Sequence, residues 1–115
     1  MAERWIYHIT SEEAFRNAVV SGCYEHPTLR SQGFFHCSTA EQVIDVANAR
    51  FRGNRGLLLL KINATKVRPE IRYENLEGGT TLFPHIYGTL NLDAIMEVLP
   101  FMPNDDGIFE QHLLS

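Results

Sequence analysis

The chain is predicted to be an α+β domain built on mixed or antiparallel β-sheets, with two helices placed after the first two strands. Three observations support this. Runs rich in aromatic and β-branched residues recur at 5–9, 34–38, 56–62 and 94–101. Two stretches of helical periodicity follow the first two of these runs. Both helices therefore precede most of the strands, an order that favours separate helices and sheets.

The elements follow in turn. Residues 5–9 read as a strand, and Thr10 with Glu13 has the spacing of a capping box that opens a helix. Ala14, Phe15, Ala18 and Val19 fall on one face of that helix, and Gly22 ends it. Residues 24–32 are polar, contain Pro27 and read as a loop. In the second strand, alternation puts Phe34, His36 and Ser38 on one face and Phe35 and Cys37 on the other. Ser38 and Glu41 form a second capping box, after which Val43, Ile44, Ala47 and Phe51 line a helix that stops near Gly53.

The aliphatic run at 56–62 reads as a strand covered on both faces. A further strand is expected at 67–73, with Pro69 near its start, followed by an exposed loop at 74–81 that holds Gly78-Gly79. Residues 83–87 suit a short strand or an ordered loop, and 94–101 the last strand. No repeat, low-complexity tract or linker divides the chain. A single domain over 1–115 is expected, with its core at about 4–102 and a tail at 103–115 that docks weakly.

With 115 residues, 44% hydrophobic and 21% charged, the chain is long enough for one real core. Its net charge is -4 and its cations are scattered, so it offers no clear nucleic-acid surface, although a small nucleotide held by local contacts stays compatible. Its longest uninterrupted apolar run, Leu57 to Leu60, is far too short for a membrane span. Cys23 and Cys37 form no CxxC pair and suit free thiols in a reducing compartment. The N-terminus lacks an apolar signal core, so a cytoplasmic location is expected.

Three histidine-bearing segments carry the candidate chemistry: Tyr7-His8-Ile9-Thr10, His36-Cys37-Ser38 and Pro84-His85-Ile86-Tyr87-Gly88. His8 is expected at a strand end, where ligands commonly sit; its plain structural alternative is a half-buried ring bonded to a backbone carbonyl. His36 and Ser38 share a face beside a helix start, whose free N–H groups suit an anion. Alternatively, Ser38 only caps the helix and His36 is a core residue. Cys37 points away and reads as a buried structural thiol. His85 and Tyr87 present a titratable ring and a phenol to one face, or close an aromatic turn. Glu74 and Glu97 are the candidate carboxylates, with Glu97 better suited to a solvent-facing position. A three-histidine zinc site would need one of the usual ligand spacings, and HxH, HExxH and CxxC are all missing.

Together with Gly33-Phe34-Phe35-His36-Cys37-Ser38-Thr39 and Leu90-Asn91-Leu92-Asp93-Ala94, these segments closely resemble the bacterial domain-of-unknown-function family 952, from about Trp5 to Phe101. The family's fold is held to be similar to the ADP-ribosyltransferase-like group, with its split β-sheets. The resemblance implies that His8 and Thr10 bind the nicotinamide-side ribose of NAD, with His36 and Ser38 near its phosphates. It implies that Tyr87 packs against the nicotinamide, and Glu74, Tyr87 and His85 are the candidate catalytic residues. Glu74 or Glu97 would then stabilise a ribosyl cation. The segment His36-Cys37-Ser38 is similar to a strand of the RNA 2'-phosphotransferases, and Arg30 and Arg72 are the nearest counterparts of their phosphate-gripping cations. The order of residues departs from the group's pattern, because Glu74 precedes Tyr87. Three readings follow: an ADP-ribosyl- or 2'-phosphotransferase-like enzyme using NAD, a non-catalytic module for a nucleotide or phosphorylated metabolite, and a histidine-based metal or hydrolase site.

Overall fold

The aliphatic run found in the sequence forms the central strand of the largest sheet. In the computed structural model, which describes residues 4–114, strand β4 (Leu57–Asn63) lies between β1 (Trp5–Ser11) and β8 (Ile95–Phe101), antiparallel to both. Its alternate side chains enter two separate cores, which is why it reads as continuously apolar. Leu60 and Ile62 pack with Ile6, Tyr24, Phe35 and Ile86 in one core. Leu59 packs with Tyr7, Ile9, Val43, Ala47 and Phe101 in the other.

A second sheet joins β3 (Phe35–His36), β6 (Phe83–Tyr87) and β5 (Glu70–Glu74) in that order, and a two-stranded ribbon joins β2 (Cys23–Tyr24) to β7 (Leu90–Asn91). Every strand pairing is antiparallel. Segment 83–87 is thus a strand, and it is central to its sheet. The two larger sheets are tied where Tyr7 and Ser38 exchange backbone hydrogen bonds of 2.7 and 2.8 Å.

Three α-helices occur among the described residues: α1 (Glu12–Ser21), α2 (Thr28–Gln32) and α3 (Val43–Arg50). The α+β architecture stands, with one helix more than expected. Helix α2 replaces the polar loop read at 24–32, whose Pro27 sits at the helix start, where its missing N–H costs nothing. Both capping boxes are corrected. Ser11, not Thr10, caps α1 and accepts a hydrogen bond from the Ala14 N–H, so β1 runs on through Thr10. Ser38 caps nothing; the Thr39 N–H donates to Gln42 Oε1 instead. Gly22 ends α1 at φ 90°, a conformation that favours glycine. Val19, expected on the buried face of α1, is 58% exposed, and Ala18 alone of that helix is fully buried.

The tail docks firmly rather than weakly. Phe109 is buried and stacks on Phe101 with ring centroids 4.7 Å apart. Asn48 clamps its backbone, donating to the carbonyl at 3.0 Å and accepting from the N–H at 2.8 Å. Cys23 and Cys37 are free thiols. No helix among the described residues is long and apolar enough to cross a membrane.

Candidate functional site

Antiparallel register decides which side chains meet. In the β3–β6–β5 sheet, His36 faces His85, Arg72 faces His85 from the other side, and Glu74 faces Phe83. Residues opposite one another point to the same side of a sheet, and alternate residues along a strand share that side. One face therefore carries His36, Phe83, His85, Tyr87, Glu70, Arg72 and Glu74. The opposite face carries Phe35, Ile86 and Ile71, which join the core. Polar and apolar residues alternate along all three strands for this reason.

That polar face forms one wall of a cavity of about 240 Å³. The wall contributes His36, Ser38, Glu74, Phe83 and His85, and Cys37, expected to point away, also borders the cavity. The other lining comes from β1 (Tyr7, His8, Ile9), from His26, from α3 and its end (Val46, Arg50, Phe51), and from residues 75–77. Two of the three sequence segments supply side chains aimed along this face, and the third, around His8, lies across from them.

Glu74 and His85 of the wall form a cluster with Tyr87, which shares their sheet face but does not line the cavity, so it is not placed to pack against a ring bound there. Glu74 Oε1 accepts a hydrogen bond from His85 Nδ1 at 3.1 Å and a short one from the Tyr87 hydroxyl. These two bonds, Tyr87's first, hold the Glu74 carboxyl below its ordinary range, and the same contact raises the Tyr87 phenol. The Nδ1–H that points at Glu74 leaves His85 Nε2 as the proton acceptor. Phe34 stacks on the His85 ring at 4.6 Å and the His36 ring meets it perpendicularly at 4.8 Å, so the imidazole is held by two rings. The Arg72 guanidinium lies 4.3 Å from the centre of the Tyr87 ring and bonds Glu70, and it does not line the cavity.

His8 stands differently. It is in the middle of β1, opposite Leu60, rather than at a strand end. Its Nδ1–H donates to the His36 carbonyl at 2.6 Å, which fixes the tautomer. Its Nε2 then accepts from the Tyr24 hydroxyl at 2.7 Å, and Tyr24 in turn accepts from Thr10 Oγ1 at 2.8 Å. Both ring nitrogens are used inside the protein, so only a carbon edge of His8 is left for a ligand. Thr10 is buried behind the wall and does not line the cavity. Burial lowers the His8 pKa to about 3 and raises that of Tyr24 to about 12.

Other expectations are sorted in the same way. The N–H groups after β3 are not open to an anion, since Ser38 N–H bonds the Tyr7 carbonyl and Thr39 N–H bonds Gln42. Glu97 pairs with Lys61 at 3.3 Å on the other sheet, half exposed, and does not line the cavity. Cys37 is buried in the core, which pushes its thiol well above the ordinary range. Among the described residues, no three His, Cys, Asp or Glu side chains converge as a metal site would require.

Sequence reasoning missed His26, Arg50 and Glu77. His26 lies in the segment taken for a plain loop; its ring centre is 5.3 Å from that of His8, and its Nδ1 is 2.9 Å from Thr28 Oγ1. Arg50 had a legible signal, because it follows Val43, Val46 and Ala47 at helical spacing, which puts a cation at the end of the apolar stripe. It bonds Glu77 at 2.8 Å through both carboxylate oxygens.

The chain has an α+β fold with antiparallel sheets. The chain belongs to the family described as protein of unknown function DUF952, whose model matches residues 9–98. No curated protein matches it. Among solved structures it is similar to protein CC0527 from Caulobacter crescentus. The crystal structure of that protein is 29% identical, with a TM-score of 0.84, over 96% of this chain and 99% of the other. A crystal structure of its double methionine variant agrees equally well. The solution NMR structure is 28% identical with a TM-score of 0.82, covering 94% and 93% of the two chains.

Proposed function

We propose that the cavity binds the nicotinamide–ribose end of NAD, or a nucleotide of similar shape, and that the chain is a transferase of the ADP-ribosyl type. The observation that carries this reading is the pair Glu74 and His85 on the cavity wall, with Tyr87 bonded to Glu74 from outside the lining. Cleavage of the bond between ribose and nicotinamide sends the electron pair to the nicotinamide nitrogen and leaves positive charge on the ribose. A fixed, ionised carboxylate beside that carbon lowers the barrier, because it is oriented before the charge develops. Glu74 Oε1 is held by two donors, which leaves Oε2 for this task. An acceptor hydroxyl or water then attacks the ribose carbon, and its proton passes to His85 Nε2.

The cavity's size agrees with this division. At about 240 Å³ it is smaller than most sites for drug-sized ligands, so it suits one ring and its sugar rather than a whole dinucleotide. The rest of NAD would lie at the mouth. His36 and Ser38 line the cavity and serve as binding residues in this reading, with His8 forming a side wall.

A second reading, a non-catalytic binding module for a nucleotide or phosphorylated metabolite, is favoured by the bonding of His8 and Thr10. Neither has a polar atom to give a ligand, which removes two of the contacts expected for NAD. The two readings separate on one experiment. The purified chain is titrated with NAD and ADP-ribose while thermal stability and released nicotinamide are followed. The enzyme reading expects a rise in midpoint and nicotinamide release that Glu74→Gln abolishes and Glu97→Gln leaves intact. Binding without release favours the module, and no shift at millimolar nucleotide overturns both.

A further inference from the structure

We propose that Arg50 is the anchor for a phosphate group at the cavity mouth, and that Glu77 occupies it until a phosphorylated ligand takes its place. This deepens the nucleotide reading above and rests on it for the identity of the ligand, though not for the presence of the anion site.

Arg50 supplies the single permanent cation among the residues that line the cavity; Arg30 and Arg72, the cations expected from the sequence, are not part of the lining. Its side chain is 62% exposed and that of Glu77 is 61% exposed, so the pair sits at the opening rather than in the interior. An ion pair this open to water contributes little to stability and exchanges partners readily. The guanidinium presents a planar fork, which matches phosphate as well as it matches carboxylate. A dianionic phosphate would gain more from that fork than one carboxylate does.

The surroundings hold the fork in place. Arg50 is in the last turn of α3, whose Val43 and Ala47 are fixed in the core. Glu77 is on a braced loop. Asn75 Oδ1 accepts from the N–H groups of Glu77 and Gly79, Asn75 Nδ2 donates to the Thr81 carbonyl, and Gln42 Nε2 donates to the Leu82 carbonyl. Glu77 is therefore presented to Arg50 by a preorganised turn, as a built-in competitor for the anion. His36 lines the same cavity as Arg50 and Glu77 and lies in the field of both charges. A phosphate seated on Arg50 would add its charge to the field that the His36 ring senses. This arrangement makes Glu77 a brake on binding and Arg50 the residue that selects phosphorylated ligands over unphosphorylated ones.

The test uses the full chain and two kinds of probe. Inorganic phosphate is titrated first, with the NMR signals of the Arg50 guanidinium and the His36 ring as the readout. Saturable changes at both are expected, tightened several-fold in Glu77→Gln and lost in Arg50→Leu. Nicotinamide mononucleotide and nicotinamide riboside, which differ by one phosphate, are then compared by calorimetry. Arg50→Leu is expected to weaken the mononucleotide by about tenfold or more, the loss of a charge-assisted contact. Glu77→Gln is expected to tighten it, and the riboside should be insensitive to both changes. If phosphate leaves Arg50 unmoved in the wild type and in Glu77→Gln, the anchor is overturned, whether or not NAD binds. Equal weakening of both nicotinamide ligands in Arg50→Leu also overturns it, because the residue would then be shaping the cavity rather than holding phosphate. Phosphate at Arg50 in a chain that binds no nicotinamide compound keeps the anchor and overturns the NAD reading alone.

Discussion

The His8 Nδ1–H donates to the His36 carbonyl across 2.6 Å, and this bond joins β1 of one sheet to β3 of the other. Through Nε2 the same ring continues to Tyr24 and Thr10, so one buried chain of hydrogen bonds ties β1, β2 and β3 together. Such a chain is stable only when each member has its partner. Tyr24→Phe removes the hydroxyl and leaves both the His8 Nε2 acceptor and the Thr10 hydroxyl unpaired in the interior. The expected loss is about 1–3 kcal/mol of unfolding free energy. Urea denaturation of the two proteins measures it, and an unchanged midpoint would show that the chain contributes nothing.

The same burial makes stability depend on pH. His8 has its pKa lowered from 6.5 to about 3 in the folded state. Between those values the unfolded chain holds a proton that the folded chain refuses, so stability is full above pH 6.5 and declines as the pH falls toward 3. One proton corresponds to about 1.4 kcal/mol per pH unit. Burial lowers His26 and His36 as well, which adds loss of the same sign. The urea midpoint is expected to drop between pH 7 and pH 5, and His8→Gln is expected to flatten that slope although it starts from lower stability. Equal slopes in the two proteins would rule out His8 as the titrating group.

The sequence showed the polar face of the second sheet more clearly than the position of His8. Alternation alone separated His36 and Ser38 from Cys37, because the pattern follows directly from strand geometry. The β1 boundary was harder, since Thr10 and Ser11 are adjacent hydroxyl residues before Glu12 and Glu13. Either could cap a helix, and the choice of Thr10 ended the strand early and moved His8 to a false strand end. Strand pairing was out of reach for a different reason. Glu74 and His85 are separated by a loop of unknown path, so their contact depends on the register of β5 against β6. His26 was hidden because a five-residue helix gives too little periodicity to be read.

Tyr87 and Glu74 offer a test of the cluster by pH. The Tyr87 hydroxyl is the leading cause that keeps the Glu74 carboxyl below its ordinary range, ahead of His85. Tyr87→Phe removes that donor, so Glu74 takes up its proton at a higher pH. If turnover needs ionised Glu74, the acid limb of the pH–rate profile for nicotinamide release moves upward in Tyr87→Phe, with a smaller fall in rate at pH 8 than at pH 5. An acid limb that stays in place would separate Tyr87 from the ionisation of Glu74.

Phe109 tests whether the tail belongs to the core. Its ring is buried against Phe101, a residue of β8, and its backbone is clamped by Asn48 of α3. The tail thus bridges the edge of the first sheet to the helix that carries Arg50. Truncating a buried aromatic ring removes its burial and leaves a cavity, a combined cost of about 3–5 kcal/mol. Phe109→Ala is expected to lower the thermal midpoint by that amount of stability, and Asn48→Ala by less, since the ring itself stays in place. Because α3 loses a brace, phosphate affinity at Arg50 should weaken in Phe109→Ala under conditions where the chain is still folded. Unaltered stability in Phe109→Ala would mean that the last residues lie against the domain without holding it.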